Sequence, residues 1–241
     1  MDGTQGKIPS ALIAKTSDIA DSLATIQKYY FDNTKKWVIF GDSFSNQITE
    51  NDYPYYVIQD LKLTGTVTNA VPGDRIQDQL AILKSNLTSN PNYLNGFDIL
   101  SVLVGVNDFA GSYLLGSRKS LKTDLNFAGY LKDFIETALT ANPNIQIYLM
   151  TPTEADGNGA LYNEVNLAGW SLRELSVLIG QISSDYGLQC IDLYSLCQFN
   201  KITIPHYTTD LLHPNSVGVK CIADAVSSAF RNRVNKGKEV D

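Results

Sequence analysis

Histidine and cysteine are scarce in this sequence, which has two and three of them among its 241 residues. Two histidines leave little room for a histidine-rich metal site, and we expect neither a bound metal nor an organic cofactor. The cysteines stand at positions 190, 197 and 221 and form no C-x-x-C pair, so the sequence predicts neither a zinc knuckle nor a redox motif. We expect three small hydrophobic side chains in or near the core, with a Cys190–Cys197 disulfide as the open alternative.

Positive charge and long apolar runs are lacking as well. The chain has 25 acidic and 19 basic residues and a formal net charge of −6, whereas general nucleic-acid binding needs a basic face. No apolar stretch approaches the length of about 20 residues that crosses a bilayer. The opening residues 1–5 are polar and lack the basic and apolar regions of a secretion signal. We therefore expect a soluble protein with no nucleic-acid partner and no membrane span, and an extracellular or virion-associated location stays open.

The length fits one α/β domain with a short appendage. Residues 1–35 are that appendage, a polar leader followed by a short helix that Ser17 would cap. The apolar face of this helix would consist of Ile19, Leu23, Ile26 and Tyr30. It would pack on the flank of the domain or join the chain to other copies or to a larger assembly. We expect the main domain to cover residues 36–234 and a charged tail to cover residues 235–241.

Five short apolar runs alternate with helical stripes from residue 36 onward. The runs, which predict buried β-strands, cover residues 37–40, 65–70, 99–104, 145–150 and 190–193. Apolar residues at helical spacing begin near Ile76, Leu131, Leu175 and Ile222. This alternation predicts right-handed crossovers and a parallel five-stranded sheet covered by helices on both faces. In such sheets the reactive groups lie in the loops beyond the carboxyl ends of the strands.

Small and polar residues mark four of these loops. They are Gly41-Asp42-Ser43 after the first run, Gly73 after the second, Gly105-Val106-Asn107-Asp108 after the third and Asp210-Leu211-Leu212-His213 after the fifth. Each segment taken alone is typical of a turn or a helix cap. Together they supply what acyl transfer needs: a nucleophile, a base, a group that orients the base, and donors for an oxyanion.

The residue types indicate one role for each position. Ser43 would present its hydroxyl on a strand-to-helix turn, and His213 is a candidate base because imidazole changes protonation near neutral pH. Asp210 precedes His213 by three residues and can accept from its Nδ1–H, which fixes the tautomer. The three oxyanion donors would be the backbone N–H groups of Ser43 and Gly73 and the side-chain amide of Asn107.

These segments resemble the four signature blocks of the SGNH, or GDSL-type, hydrolase family, in the family's order and with comparable spacing over residues 36–234. The resemblance implies a flavodoxin-like three-layer α/β/α sandwich with a central, mostly parallel five-stranded sheet. It also implies hydrolysis of carboxylic esters without a cofactor. The family's roles, carried over, make Ser43 the nucleophile, His213 the base and Asp210 its partner, with Ser43, Gly73 and Asn107 in the oxyanion hole.

Two competing interpretations explain fewer of these residues. His206, the other histidine, has Thr203 rather than an acid three residues before it, so a structural or substrate-contacting role is favoured there. A glycosidase that uses two carboxylates is compatible with the 25 acidic residues, but it would leave the combination of Ser43, Asn107 and His213 without a purpose.

The substrate is indicated only by aromatic residues and by the lack of a lid. Phe44 stands where the family's name-giving leucine would be, and it is predicted to contact substrate together with Phe109 and Tyr207. Aromatic rings with polar neighbours suit sugars, and no long apolar insertion would build a lid or an acyl-chain tunnel. We therefore expect small-molecule or polysaccharide esters as substrates, with short acyl groups such as acetyl on a carbohydrate.

Two alternatives stay open at this point. The first is a lysophospholipase, a lipase or a general carboxylesterase. The second belongs to another class, a carbohydrate-binding or assembly module of a phage tail or cell-surface particle. In that case residues 1–35 would form a homo-oligomer or attach the domain to the particle.

Overall fold

The computed structural model describes residues 34–157 and 164–234. Within them the apolar runs form one five-stranded sheet, as the pattern predicts. The strands are β1 (Lys36–Gly41), β2 (Gly65–Thr68), β3 (Ile99–Leu103), β4 (Gln146–Met150) and β5 (Gln189–Ile191). Their spatial order is β2-β1-β3-β4-β5, and every neighbouring pair is parallel. This is the flavodoxin-like order, so the expected α/β architecture is confirmed.

Four long helices follow the predicted helical stripes. In chain order the described residues contain α1 (Tyr53–Leu61), α2 (Ile76–Ser89), α3 (Val106–Ala110), α4 (Phe127–Ala141), α5 (Leu172–Asp185), α6 (Leu193–Leu196), α7 (Ile204–Tyr207), α8 (Ser216–Val234) and a 3₁₀ turn at Tyr93–Gly96. Helices α2, α4, α5 and α8 were expected from their stripes. The other helices have nine residues or fewer, which is too short for an apolar period to stand out.

The two central strands lie in the core. Every residue of β3 is buried, and so is every residue of β1 after Lys36. Successive side chains of a strand point to opposite faces, so both faces of the sheet are covered here. A buried hydrogen bond of 2.9 Å from Trp37 Nε1 to Ser101 Oγ ties β1 to β3.

The strand order places a crevice between the carboxyl ends of β1 and β3. The chain leaves β1 toward β2 on one side, and β3 then pairs with β1 on the other side. At such a switch point the two following loops diverge and leave room for a ligand. Gly41 pairs with Leu103 at this edge, so the segments that carry Ser43 and Asn107 leave the sheet from adjacent positions.

The α/β unit consists of Asn33–Ala229. A second unit consists of Met1–Asp32 and Phe230–Asp241, of which the structure describes only residues 230–234 at the end of α8. The helix predicted around residues 19–30 and the tail at residues 235–241 lie outside the described residues, so the domain boundaries stay predictions. In the two described ranges, no helix combines the length and the apolar character needed to cross a membrane.

All three cysteines are free thiols, so the Cys190–Cys197 disulfide is not formed. Cys197 is buried, and Cys190 and Cys221 are half-buried. Burial raises the pKa of Cys190 to about 11 and also raises the pKa of Cys197. Because the thiolate is the reactive form, these two side chains act as small hydrophobic groups at neutral pH.

Candidate active site

The turn that carries Ser43 begins where β1 ends. A Cβ atom on Gly41 would lie 2.8 Å from the carbonyl oxygen of Leu103, so the close approach of the two strand ends requires glycine. The chain then bends sharply, and the N–H of Phe44 donates to the Asp42 carboxylate at 3.1 Å. Ser43 occupies the corner of this turn, half-buried.

Ser43, His213 and Asp210 form one continuous hydrogen-bonded chain. Ser43 Oγ lies 3.1 Å from His213 Nε2, and His213 Nδ1 lies 2.7 Å from Asp210 Oδ2. The histidine reaches the β1 turn from the loop between α7 and α8, 170 residues further along the sequence. Three residues that the sequence predicts to act together are therefore adjacent in space.

The loop between α7 and α8 fixes the position of the aspartate by its own backbone. Asp210 Oδ1 accepts from the N–H of His213 at 2.7 Å and from the N–H of Leu212 at 3.1 Å. Leu211 takes a left-handed conformation with φ of 70°, which tightens the turn, and a bridge between Thr208 and Pro214 closes its base. The second carboxylate oxygen is thereby directed at the imidazole.

The protonation state of Asp210 follows from these hydrogen bonds. Partial burial by itself raises the pKa of this carboxyl, but the hydrogen bonds from the His213 ring and from the backbone of His213 and Leu212 outweigh it. They hold the pKa of Asp210 below its ordinary value. An ionised Asp210 can only accept, so Nδ1 of His213 carries the proton and Nε2 is free to accept from the Ser43 hydroxyl. In this tautomer a histidine can remove a proton from serine.

Phe44 packs against the histidine. Its ring lies edge-on to the His213 ring, with centroids 5.9 Å apart, and its side chain is 6% exposed. This packing supports the imidazole, and a substrate contact of Phe44 stays a prediction.

Gly73 lies in the loop after β2, and Asn107 lies in the first turn of α3, just beyond β3. Gly73 has a φ of 86°, a conformation that favours glycine, and it is exposed. Asn107 Nδ2 donates to the carbonyl oxygen of Asp74 at 3.0 Å, which fixes the orientation of the amide. A side-chain amide has two N–H donors, so this bond engages one and sets the direction of the other.

Two carboxyl groups are buried next to the site residues in sequence. Asp42 and Asp108 are 1% and 3% exposed, and burial is the main cause that raises the pKa of each to about 7. Hydrogen bonds from the N–H groups of Phe44 and Ile76 oppose this effect, and the charge on Asp42 adds to it at Asp108. Both groups therefore bind a proton at a pH at which an exposed aspartate is fully ionised.

We expect Asp42→Asn to flatten the dependence of stability on pH. The folded-state pKa of Asp42 is about 7 against an ordinary value of 3.8. The stability that depends on its proton is thus fully present below about pH 4 and is lost as the pH rises toward 7, by about 1.4 kcal/mol per pH unit. Asparagine keeps an acceptor for the Phe44 N–H and does not titrate.

The measurement is urea unfolding of both proteins at about pH 4.5 and about pH 7.5. The free energy of unfolding should fall less in the Asp42→Asn protein than in the wild type over this interval. An equal fall in both proteins would contradict a buried proton on Asp42.

The two other aromatic residues predicted to contact substrate, Phe109 and Tyr207, lie in different environments. Phe109 is 1% exposed and packs edge-on against Trp170 at 5.4 Å, so its predicted substrate contact is wrong and it is a core residue. Tyr207 is half-buried and stacks on Phe199 at 5.0 Å, which covers one face of its ring. A substrate role for Tyr207 stays a prediction.

His206, the rival base, lies on α7 and is exposed. Its ring packs edge-on against Tyr207 at 5.0 Å, and its backbone carbonyl accepts from Asn215 Nδ2 at 2.8 Å. The Ser43 hydroxyl is bonded to His213 instead, which favours the structural role for His206.

The sequence analysis did not identify Gln79 and Asp74 as residues that support the site. Gln79 is completely buried, and its side chain bonds both to the N–H of Gly41 and to the Asp74 carboxylate. The available signal was its position: Gln79 lies on the apolar stripe of α2, three residues after Ile76 and four before Leu83. A polar residue on a stripe that faces the core needs buried partners.

The arrangement as a whole is suited to nucleophilic chemistry. A hydroxyl, an imidazole and an ionised carboxylate stand in series, and α3 carries an oriented amide. In residues 34–157 and 164–234, no group of three or more His, Cys, Asp or Glu side chains could hold a metal ion.

The sequence matches the GDSL-like lipase/acylhydrolase family over residues 39–221. This range covers most of the chain and includes all four segments that form the candidate site. The chain therefore belongs to the GDSL-like lipase/acylhydrolase family and is a carboxylic ester hydrolase. Among curated proteins the sequence has no match.

Solved structures share this fold at low sequence identity. A Lactobacillus plantarum protein superposes with a TM-score of 0.72 at 21% identity, covering 83% of this chain and 98% of its own. A possible lipase from Chitinophaga pinensis gives 0.67 at 19% identity, covering 83% and 99%. The lipase/acylhydrolase from Enterococcus faecalis gives 0.58 at 19% identity, covering 83% and 97%. At these identities the similarity establishes the fold and leaves the substrate open.

Proposed function

We propose that Ser43, His213 and Asp210 are the catalytic triad of an esterase. Ser43 Oγ attacks the carbonyl carbon of the ester while its proton passes to His213 Nε2, and Asp210 stabilises the imidazolium that results. The tetrahedral intermediate collapses, the alcohol leaves with the proton from His213, and the acyl group stays on Ser43. A water molecule, deprotonated by the same histidine, then releases the acid and restores the serine.

The negative oxygen of the tetrahedral intermediate needs donors in fixed positions. We assign this role to the N–H groups of Ser43 and Gly73 and to the side-chain amide of Asn107. The bond from Asn107 to the Asp74 carbonyl supports the assignment, because an amide that is held before the reaction costs no reorganisation during it.

The observation that carries the proposal is the series of contacts from Ser43 to Asp210. Both distances, 3.1 Å and 2.7 Å, lie in the range in which a proton can be shared, and the aspartate selects the tautomer that the reaction needs.

For the substrate we propose short acyl esters, such as acetyl groups, on a carbohydrate. The side chains of His213 and Asp210 are 42% and 53% exposed, so this part of the site is open to solvent. An open site admits a polymer and gives a long acyl chain little apolar surface to bury.

The substrate proposal is tested by offering acetylated polysaccharides beside p-nitrophenyl esters with acyl groups from acetyl to dodecanoyl. We expect release of acetate from the polysaccharide and a kcat/KM that is highest for the shortest acyl groups. The Ser43→Ala protein is the control for non-enzymatic release. A kcat/KM that increases with chain length, with no acetate from any polysaccharide, would contradict this substrate class.

One feature favours a lipase or lysophospholipase as the second candidate. A cavity of about 140 Å³ is lined in part by Arg75 and Asp108, which follow Asp74 and Asn107 directly in sequence. Exposed apolar side chains stand at the same cavity, namely Tyr113, Leu114 and Leu125 at 45%, 65% and 78% exposure. If acyl chains lie there, the same ester series will peak at long acyl groups.

The chain belongs to a hydrolase family, which favours an enzyme over a carbohydrate-binding or assembly module without turnover. Attachment of this enzyme to copies of itself or to a larger particle through residues 1–35 stays a proposal, as does a location outside the cell or on a virion.

A further inference from the structure

A buried glutamine connects the end of β1 with the loop that carries Gly73. Gln79 lies on α2 with none of its surface exposed, and its Oε1 accepts from the backbone N–H of Gly41 at 2.9 Å. Gly41 is the last residue of β1 and lies two residues before Ser43. The glutamine therefore fixes the point from which the Ser43 turn begins.

The other end of the same side chain holds the Gly73 loop. Gln79 Nε2 donates to Asp74 Oδ2 at 2.7 Å and, more weakly, to the carbonyl of Asn69 at 3.4 Å. Asp74 directly follows Gly73, and its backbone carbonyl in turn accepts from Asn107 Nδ2. One path of hydrogen bonds thus passes from the Ser43 turn through Gln79 and Asp74 to Asn107.

The partners determine which atom of the amide faces each way. A backbone N–H must meet an oxygen, and a carboxylate must meet an N–H, so Gly41 takes Oε1 and Asp74 takes Nε2. Glutamine supplies an acceptor and a donor at one buried point, which neither leucine nor an ionised glutamate can do. Leaving the buried Gly41 N–H unsatisfied costs free energy, because water cannot replace the lost acceptor there.

From this arrangement we infer that Gln79 is a positioning residue that sets the spacing between the Ser43 turn and the oxyanion donors Gly73 and Asn107. The inference rests on the proposed function of those residues. Gln79 acts through Gly41 and Asp74 and has no contact with the ester. Because the oxyanion exists only in the transition state and the intermediate, a change in this spacing should lower kcat and leave KM nearly unchanged.

The test first replaces the donor of the Gln79–Asp74 hydrogen bond with a carboxyl group. A second substitution then allows the bond to form in the opposite direction. Gln79→Glu keeps the acceptor for the Gly41 N–H, but its carboxyl can donate to Asp74 only while it is protonated. Once the new carboxyl ionises at alkaline pH, two carboxylates face each other, and we expect kcat to fall there by about 10²-fold relative to the wild type, the effect of misplacing a reacting group by about 1 Å. In the double variant Gln79→Glu/Asp74→Asn, the asparagine amide can donate to the new carboxylate. This variant should recover at least about tenfold of the lost kcat.

The matched control is Asn86→Asp, which introduces the same change of amide to carboxylate on the same helix. Asn86 is half-buried and donates to the Asn69 side chain at 3.3 Å. Its kcat should stay within about threefold of the wild type, as expected for a surface-side change. Thermal unfolding of every variant identifies losses of activity that come from loss of the fold.

The outcomes separate this inference from the proposed function. If Ser43→Ala is inactive while Gln79→Glu keeps the wild-type kcat at every pH up to the alkaline end of the profile, or if the double variant recovers nothing, the positioning role is overturned and the triad stands. If Ser43→Ala keeps its activity, the proposed function fails first. If Gln79→Glu does not fold, the alternative variant is Asp74→Ala, which removes the same hydrogen bond at the half-buried partner. An unchanged kcat in Asp74→Ala would also overturn the positioning role of Gln79.

Discussion

Replacing Ser43 with alanine is expected to lower kcat toward a short-acyl ester by about 10⁴-fold or more, because removal of a triad nucleophile leaves only binding and oxyanion stabilisation. The Ser43 hydroxyl has one ring nitrogen 3.1 Å away and stands at the corner of a turn that the rest of the sheet holds in place. Alanine removes the oxygen and alters nothing else in the turn. The measurement is steady-state hydrolysis of p-nitrophenyl acetate by both proteins.

The matched control is Ser45→Ala, the same substitution two residues further along the segment. Ser45 is completely buried, and its hydroxyl bonds to the Tyr53 hydroxyl at 3.2 Å. Loss of that bond should lower the free energy of unfolding by about 1 kcal/mol. Even if this whole amount appeared in the activation barrier, kcat would fall by less than about tenfold. A Ser43→Ala protein that loses no more kcat than the Ser45→Ala protein would show that another group is the nucleophile.

Replacing His213 with alanine should produce a loss of similar size, again about 10⁴-fold or more in kcat. Without the imidazole the Ser43 hydroxyl has no acceptor for its proton, and Asp210 at 2.7 Å from Nδ1 has nothing to orient. The chain provides its own control, because it contains two histidines. His206→Ala removes the other imidazole, which lies exposed against Tyr207.

The same ester assay compares the two histidine variants. We expect His206→Ala to keep kcat within about threefold of the wild type, as for most exposed positions. A loss in His206→Ala that equals the loss in His213→Ala would contradict the assignment of His213 as the base. Folding of both variants is checked by circular dichroism, since the Phe44 ring packs on His213 and loses a neighbour in that variant.

The sheet could be predicted from the sequence because its central strands are buried on both faces. Such strands are nearly continuous apolar runs, and residues 37–40 and 99–103 have this form, with Ser101 as the single polar residue. The long helices were visible as stripes because each of them buries only one face. Helix α1 was missed because its residues Tyr53–Leu61 contain three tyrosines and a proline, which give no clear helical period over nine residues.

The grouping of Ser43, His213 and Asp210 could be predicted because Ser43 follows a strand end and the other two lie in one short loop. Parallel topology brings the carboxyl ends of β1 and β3 together, and Asp210 and His213 are close in sequence, so the pairing needed no knowledge of side-chain packing. Gly73 and Asn107 followed from the same rule. Their part in catalysis and that of the triad rest on the experiments above.

The predicted substrate contact of Phe109 failed because the sequence does not show in which direction a side chain points. Phe109 follows Asn107 by two residues, and on α3 that step turns its ring into the core against Trp170. Phe44 likewise turns toward His213. Gln79 was missed because a polar residue on a helix is usually exposed. Its position on the apolar stripe of α2 indicates burial, but only the structure shows its partners, Gly41 and Asp74.

The assignment of Ser43 as the nucleophile is tested most directly by covalent labelling with an alkyl p-nitrophenyl phosphonate, followed by mass spectrometry of the peptides. The serine oxygen displaces p-nitrophenolate, so a triad nucleophile should retain one phosphonyl group. We expect a single adduct, on Ser43, with loss of activity in proportion to labelling. We also expect no adduct in the Ser43→Ala protein and much slower labelling in the His213→Ala protein. Inactivation with the adduct on any other residue, or equal labelling of the Ser43→Ala protein, would contradict the assignment of Ser43 as the nucleophile.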